Sequence, residues 1–215
     1  MKIEGAIFDM DGTILDSMVG WNTLAERYLL SIGIEPRHNL NEVFKDLSLE
    51  KAAVYYQEHY NVDKTIAEIV NGINLLIKDF YYYDALLKPG AEEFLKFLFD
   101  NNVKMCIATA SAKGLAHAAL KRCGVREYFE EILSCQEIGR GKDVPFIYQA
   151  ALQNLGTRKE NTIVFEDALY AIKTAKNAGF IVAGVYDKYE QSTQEVMDIS
   201  NYYINDFRKA RELFK

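Results

Sequence analysis

Two aspartates one residue apart, Asp9 and Asp11, stand at the end of the apolar run IEGAIF and are followed at once by Gly12 and Thr13. Carboxylates are among the side chains least often buried, and two so close together repel. Their place after a buried strand calls for a cation, or for a reaction that uses them. Two further apolar runs end in polar groups: VKMCIAT in Thr109, with Ser111 just beyond, and TIVFED in Glu166 and Asp167. Lys142 lies in a Gly-flanked loop, GRGK, ahead of a helical stretch. Each type has a chemical use. Acids from two strands can chelate Mg²⁺, a hard cation that prefers oxygen ligands. Lysine and hydroxyl groups suit phosphate oxygens. One aspartate can attack phosphorus and the second can move a proton, while Gly12 lets the backbone turn and present its amides.

These residues need a scaffold that gathers strand ends. From about residue 85 the sequence alternates strand and helix: helix 91–102, strand 103–109, helix 112–123, a short strand near 131–135, helix 145–155, strand 162–167, helix 168–178, strand 180–186, and a last short strand–helix pair. The alternation predicts an α/β, Rossmann-like parallel sheet core with helices on both faces, whose ligands bind outside the carboxyl ends of the strands. The first strand, 3–8, is cut off from this pattern by a long, purely helical stretch. A helix is expected over 18–32, with Trp21, Leu24, Ala25, Tyr28 and Leu29 on one face and Gly33 closing it. Two shorter pieces over 40–60 meet near Leu47 and Ser48, and a strongly periodic helix runs over 63–80 with Asp63 as its N-cap. An all-helical cap domain over 17–86 is therefore expected, inserted into a core of 1–16 and 87–215.

The 215 residues are 49% hydrophobic, enough for a sizeable core, and the net charge of -6 argues against nucleic acid or an anionic membrane as partner. No apolar stretch reaches the roughly 20 residues of a membrane span. The three cysteines are odd in number and match no zinc spacing, and they read as free thiols of a reducing compartment. With no signal-peptide pattern ahead of the first strand, a cytoplasmic protein is expected, and with no exposed apolar stripe, a monomer.

Taken together, the motifs resemble the haloacid dehalogenase superfamily of phosphohydrolases. The family's first motif, D-x-D-G-T, is met by Asp9-Met10-Asp11-Gly12-Thr13. Its second, a Thr or Ser ending a strand, is met by Thr109, its third, a lysine before a helix, by Lys142, and its fourth, E-D after an apolar strand, by Glu166-Asp167. The four stand in order, and the insertion is similar to the α-helical cap of the phosphoglucomutase-like branch. The resemblance implies that Asp9 is the nucleophile and a Mg²⁺ ligand. It makes Asp11 the general acid/base with its backbone carbonyl on the metal, and Asp167 the third protein ligand. Glu166 would act through a metal-bound water. Thr109 and Lys142 would hold the phosphoryl group, with Ser111 and Lys113 near it. The implied reaction is hydrolysis of a small phosphomonoester, such as a sugar phosphate or nucleotide-like metabolite, through an aspartyl-phosphate.

Other readings stand beside this one. Asp-Gly also marks ordinary turns, Glu166-Asp167 could cap a helix, and Arg140 competes with Lys142 for a phosphate. A sugar phosphomutase of the beta-phosphoglucomutase type is the alternative enzyme. Its cap loop reads roughly K-G-V-S-R-E, and here Lys45-Asp46-Leu47-Ser48-Leu49-Glu50 puts Leu49 where the phosphate-gripping arginine would stand. A non-catalytic phospho-accepting module is the alternative from another class. Near the fourth motif the common E-D-S-x-x-G loses its hydroxyl to Ala168 and its glycine to Ala171, and Asp143 replaces a proline after Lys142. Lys45 and Lys51 are candidate cap contacts to substrate. Trp21 reads as packing or as a substrate contact, and His38, His59 and His117 as structural or solvated.

Overall fold

The computed structural model describes residues 3–37, 40–44 and 47–214. The chain divides into two compact units, residues 1–18 with 85–215, and residues 19–84. His38, Lys45 and Asp46 lie outside the described residues.

In the helical unit, α1 (Met18–Asn22) and α2 (Leu24–Ser31) replace the single helix expected over 18–32. The Thr23 hydroxyl donates back to the Val19 carbonyl at 2.7 Å, a bond of the kind that bends helices. Gly33, with φ +78°, closes α2 as expected: the N–H groups of Gly33 and Ile34 return to the carbonyls of Leu30 and Leu29. α3 (Leu40–Phe44) and α4 (Leu49–Tyr60) follow, with Ser48 capping α4. α5 (Ile66–Asp79) starts from Thr65 and not from Asp63. The Thr65 hydroxyl accepts from the Glu68 N–H while the Glu68 carboxylate accepts from the Thr65 N–H, and two satisfied donors outweigh a single-residue cap. Tyr28, Leu29, Ala53, Tyr56, Ile69 and Ile73 form the core of this unit. A π-helical turn, Phe80–Asp84, follows α5.

The larger unit is built on six parallel strands: β1 (Gly5–Phe8), β2 (Lys104–Thr109), β3 (Glu131–Ser134), β4 (Thr162–Glu166), β5 (Ile181–Val185) and β6 (Tyr202–Ile204), in the order β3-β2-β1-β4-β5-β6. Its helices are α6 (Ala91–Asp100), α7 (Lys113–Arg122), α8 (Cys135–Ile138), α9 (Phe146–Leu155), α10 (Leu169–Asn177), α11 (Thr193–Ile199) and α12 (Phe207–Ala210). The central strands are apolar on both faces because both faces are covered. Ile7, Cys106, Ala108, Val164 and Val182 pack with Ile147, Tyr148 and Ala151 of α9 and Ile172 of α10. On the other face Phe8 stacks on Phe165 at 4.2 Å and meets Phe94 of α6 edge-on, and Phe94 in turn lies against Phe207 of α12. The Rossmann-like parallel core is thus present as the alternation predicts. Two helices were not anticipated. The Ser134 hydroxyl caps the Glu137 N–H and turns the end of the expected strand into α8, and α11 buries only Val196, too little for a periodic signal. Among the described residues no helix is long and apolar enough to cross a membrane. All three cysteines are free thiols, with Cys106 buried.

Candidate active site

The strand order reverses between β1 and β4, and a crevice opens at the carboxyl ends of two such neighbours. Asp9 continues the ladder one step beyond β1, its N–H donating to the Phe165 carbonyl at 2.9 Å. The chain then turns: the Gly12 N–H donates to the Leu15 carbonyl, and the Ile14 and Leu15 N–H groups both return to Met10. Burial of Met10 between them separates the two aspartates. Asp9 is buried, and its Oδ1 accepts from the ammonium of Lys142. Asp11 is aimed differently, its Oδ1 accepting from the Ser17 hydroxyl and its Oδ2 from the Ser111 hydroxyl, each at 2.7 Å. From β4, Glu166 Oε2 accepts from Lys142 at 2.8 Å and from the Tyr148 hydroxyl at 3.0 Å. Asp167 Oδ1 accepts from the Thr13 hydroxyl at 2.8 Å. Thr109 is buried, its hydroxyl oxygen accepting the Ser111 N–H at 3.0 Å.

Asp9, Asp11, Thr109, Ser111, Lys142, Glu166 and Asp167 are therefore connected through direct contacts or through the β1–β4 junction. Lys113 is not among them: it faces outward onto Glu131 and Glu137 at 2.9 and 3.7 Å. Arg140 is exposed whereas Lys142 is buried, which separates the two competing cations. Lys51 is exposed on α4, and the Trp21 indole donates to the Tyr81 hydroxyl at 3.0 Å within the helical unit.

Three contributors escaped the sequence reading. Ser17 lies in the same short stretch as the aspartates, and its hydroxyl was the available signal. Tyr148 was hidden in the apolar face of α9. Glu190, in the loop after β5, accepts the Leu169 N–H at 3.1 Å and so caps α10, where Ala168 lacks the hydroxyl to do it. Nothing in the sequence near Ala168 points to Glu190.

One carboxylate oxygen from each of Asp9, Glu166 and Asp167 lies within 4.8 Å of the others, all three residues buried. Burial, then the charges of Glu166 and Asp9, hold Asp167 well above the usual carboxylate range. Burial and Asp9 likewise raise Glu166, against the pull of Lys142 and Tyr148. Burial works against the charge on Lys142, but Asp9 and Glu166 outweigh it and keep the ammonium well above the ordinary lysine value. One lysine thus answers two of three clustered acids. The donors are all oxygen and short of positive charge, which fits a hard divalent cation such as Mg²⁺.

A pH dependence follows. Without a cation, Glu166 and Asp167 bind protons to higher pH in the folded protein than in the unfolded chain. Their contribution to stability is full below the ordinary carboxylate range and is lost as pH rises through the raised values. A divalent cation bound there would have to displace those protons, so the affinity for Mg²⁺ should rise with pH across that window. Thermal melts with chelator and with Mg²⁺ should diverge as pH climbs, with proton release detectable by calorimetry in two buffers. A gap constant with pH would detach these acids from cation binding.

Two features of Gly12 resist replacement. Its φ of +79° costs a residue with a side chain about 1–2 kcal/mol, and a Cβ there would lie 2.3 Å from Asp167 Oδ2. Gly12→Ala should push the Asp167 carboxylate out of place, lower the melting temperature and abolish Mg²⁺ binding by calorimetry. Wild-type binding in this variant would show that Asp167 has room to move.

A parallel sheet of this order with acids at the β1–β4 crevice defines a class, and residues 6–185 match the sequence pattern of the haloacid dehalogenase-like hydrolases. The chain belongs to that family. Among its relatives, it is 32% identical to the pyrophosphatase PpaX of Halalkalibacterium halodurans, over 86% of this chain and 84% of that one. It is 25% identical to the phosphorylated carbohydrates phosphatase of Thermotoga maritima, over 82% of each. The crystal structure of beta-phosphoglucomutase from Clostridium difficile superposes with a TM-score of 0.71 at 22% identity, covering 99% of this chain and 95% of that one, a likeness of fold.

Proposed function

We propose that the protein is a Mg²⁺-dependent phosphatase of a small phosphomonoester, working through an aspartyl-phosphate on Asp9. The carrying observation is the difference between the two aspartates. Asp9 is buried against Lys142, while Asp11 is held apart by Ser17 and Ser111. An anionic oxygen beside a fixed ammonium suits attack on phosphorus, and a carboxyl oriented by two hydroxyls suits proton transfer. In the first step an Asp9 oxygen bonds to phosphorus, the ester P–O bond breaks, and the leaving oxygen takes the proton of Asp11. In the second, water attacks the aspartyl-phosphate, Asp11 accepts its proton, and phosphate departs from a restored Asp9. Lys142 and Thr109 hold the phosphoryl group, and Ser111 joins them at its edge. Asp9, Asp167 and the Asp11 backbone carbonyl would hold Mg²⁺, with Glu166 acting through a water, and the ion would supply charge that polarises the phosphoryl oxygens.

The names of two relatives, a phosphatase of phosphorylated carbohydrates and a pyrophosphatase, support hydrolysis of a small phosphorylated compound. The helical unit carries none of the four motifs, and we assign it the choice of substrate. Free thiols at all three cysteines support a cytoplasmic place. The test is phosphate release with Mg²⁺ from a panel of a hexose phosphate, glycerol phosphate, a nucleoside monophosphate and p-nitrophenyl phosphate. Turnover that needs Mg²⁺ and both aspartates supports the reading. An isomerised sugar phosphate without phosphate release would replace it with a mutase.

A further inference from the structure

Lys88 stands outside every motif, yet its ammonium is firmly held. It pairs with Asp187 Oδ2 at 3.0 Å, the two side chains 12% and 3% exposed, and it donates to the Tyr186 carbonyl. Asp187 follows β5, where its Oδ1 accepts the Tyr189 N–H at 2.9 Å. The backbone of the same segment has a second attachment. The Lys88 N–H donates to the Ile14 carbonyl at 2.8 Å, the Asp16 N–H donates to the Leu86 carbonyl at 2.9 Å, and Leu15 pairs with Leu87 in antiparallel fashion. Residues 86–88 therefore flank residues 14–16, and the next residue, Ser17, bonds the Asp11 carboxylate.

We propose that Lys88 is a positioning residue for Asp11: its buried pair with Asp187 anchors residues 86–88 to the end of β5, and their ladder to residues 14–16 fixes the Ser17 hydroxyl that aims the Asp11 carboxyl. The proposal rests on the reading of Asp11 as the acid of phosphoryl transfer. There the Asp9–phosphorus bond forms, the ester P–O bond breaks, and the departing oxygen takes the Asp11 proton. An alkyl alcohol needs that proton, whereas p-nitrophenolate leaves without it. A misaimed Asp11 penalises alkyl esters selectively, and a loosened fold penalises every ester alike.

The experiment compares kcat/KM, which reports the transfer to Asp9, for p-nitrophenyl phosphate and for the best alkyl phosphate of the panel, at saturating Mg²⁺. Lys88→Met should lose about 100-fold on the alkyl ester against a few-fold on the aryl ester, the scale of general acid catalysis. Lys88→Arg should recover most of the alkyl activity. Equal losses on the two esters, or none, would overturn the proposal. Should Lys88→Met fail to fold because Asp187 is left buried and unpaired, the double variant Lys88→Met/Asp187→Leu removes both charges and carries the same comparison. A wild-type protein that hydrolyses neither ester would overturn the phosphatase reading and the proposal with it. Wild-type turnover without the ester difference would overturn the proposal alone.

Discussion

Asp9→Asn should stop phosphate release, lowering turnover by at least about 10⁴-fold, the scale on which enzymes lose rate with their nucleophile. The fold should survive. Asparagine has the same shape, Lys142 keeps Glu166 at 2.8 Å, and removing one negative charge relieves Glu166 and Asp167, both of which Asp9 raises. The loss should therefore appear in rate and not in the cooperativity of thermal unfolding. Acid-quenched wild-type protein should carry phosphate in the peptide containing Asp9, detectable by mass, and the variant should carry none. Residual turnover near wild type would remove Asp9 as nucleophile, and phosphorylation of another residue would name its replacement.

Lys142→Met should have the largest effect on stability. The side chain is buried and answers Asp9 and Glu166 together. Breaking a buried pair on one side costs about 3–5 kcal/mol, because the charge left behind has no partner. Without the ammonium, Glu166 loses the pull that holds it down and is lifted further above the usual carboxylate range, so the folded state prefers it protonated. The deficit should shrink as pH falls and grow as pH rises, and Mg²⁺ should restore part of it. Urea melts across pH, with and without Mg²⁺, measure this. A deficit independent of both would assign Lys142 to packing alone.

The sheet and the polar strand ends were legible because both are local. An apolar run ending in Asp, Thr or Glu-Asp announces itself within a few residues, and alternation with helices fixes a parallel sheet. The T-x-x-E pattern at Thr65 was equally local, and it shows how Asp63 could have been set aside. Other parts of the site rest on partners remote in sequence. Tyr148 reads as one more apolar residue of α9 until its hydroxyl is seen on Glu166. Glu190 caps a helix that begins 21 residues earlier. Lys88 and Asp187 look like scattered surface charges, and only the placing of β5 brings them together. Pairings of that kind follow from topology, which a linear pattern does not contain.

The adjacency of β1 and β4 has a consequence for synthesis. β1 leaves the ribosome well before its partner on one side, since 153 residues separate the end of β1 at Phe8 from the start of β4 at Thr162. Until β4 docks, one edge of β1 has no neighbour, Asp9 lacks the Phe165 carbonyl that continues its ladder, and Glu166 and Asp167 are absent. A nascent chain therefore carries an unpaired apolar edge of the kind that invites association with other chains, together with half of the candidate site. Completion of the candidate site and protection of that edge arrive in the same late event, so on the proposed reading activity regained on refolding should report the closing of the sheet itself.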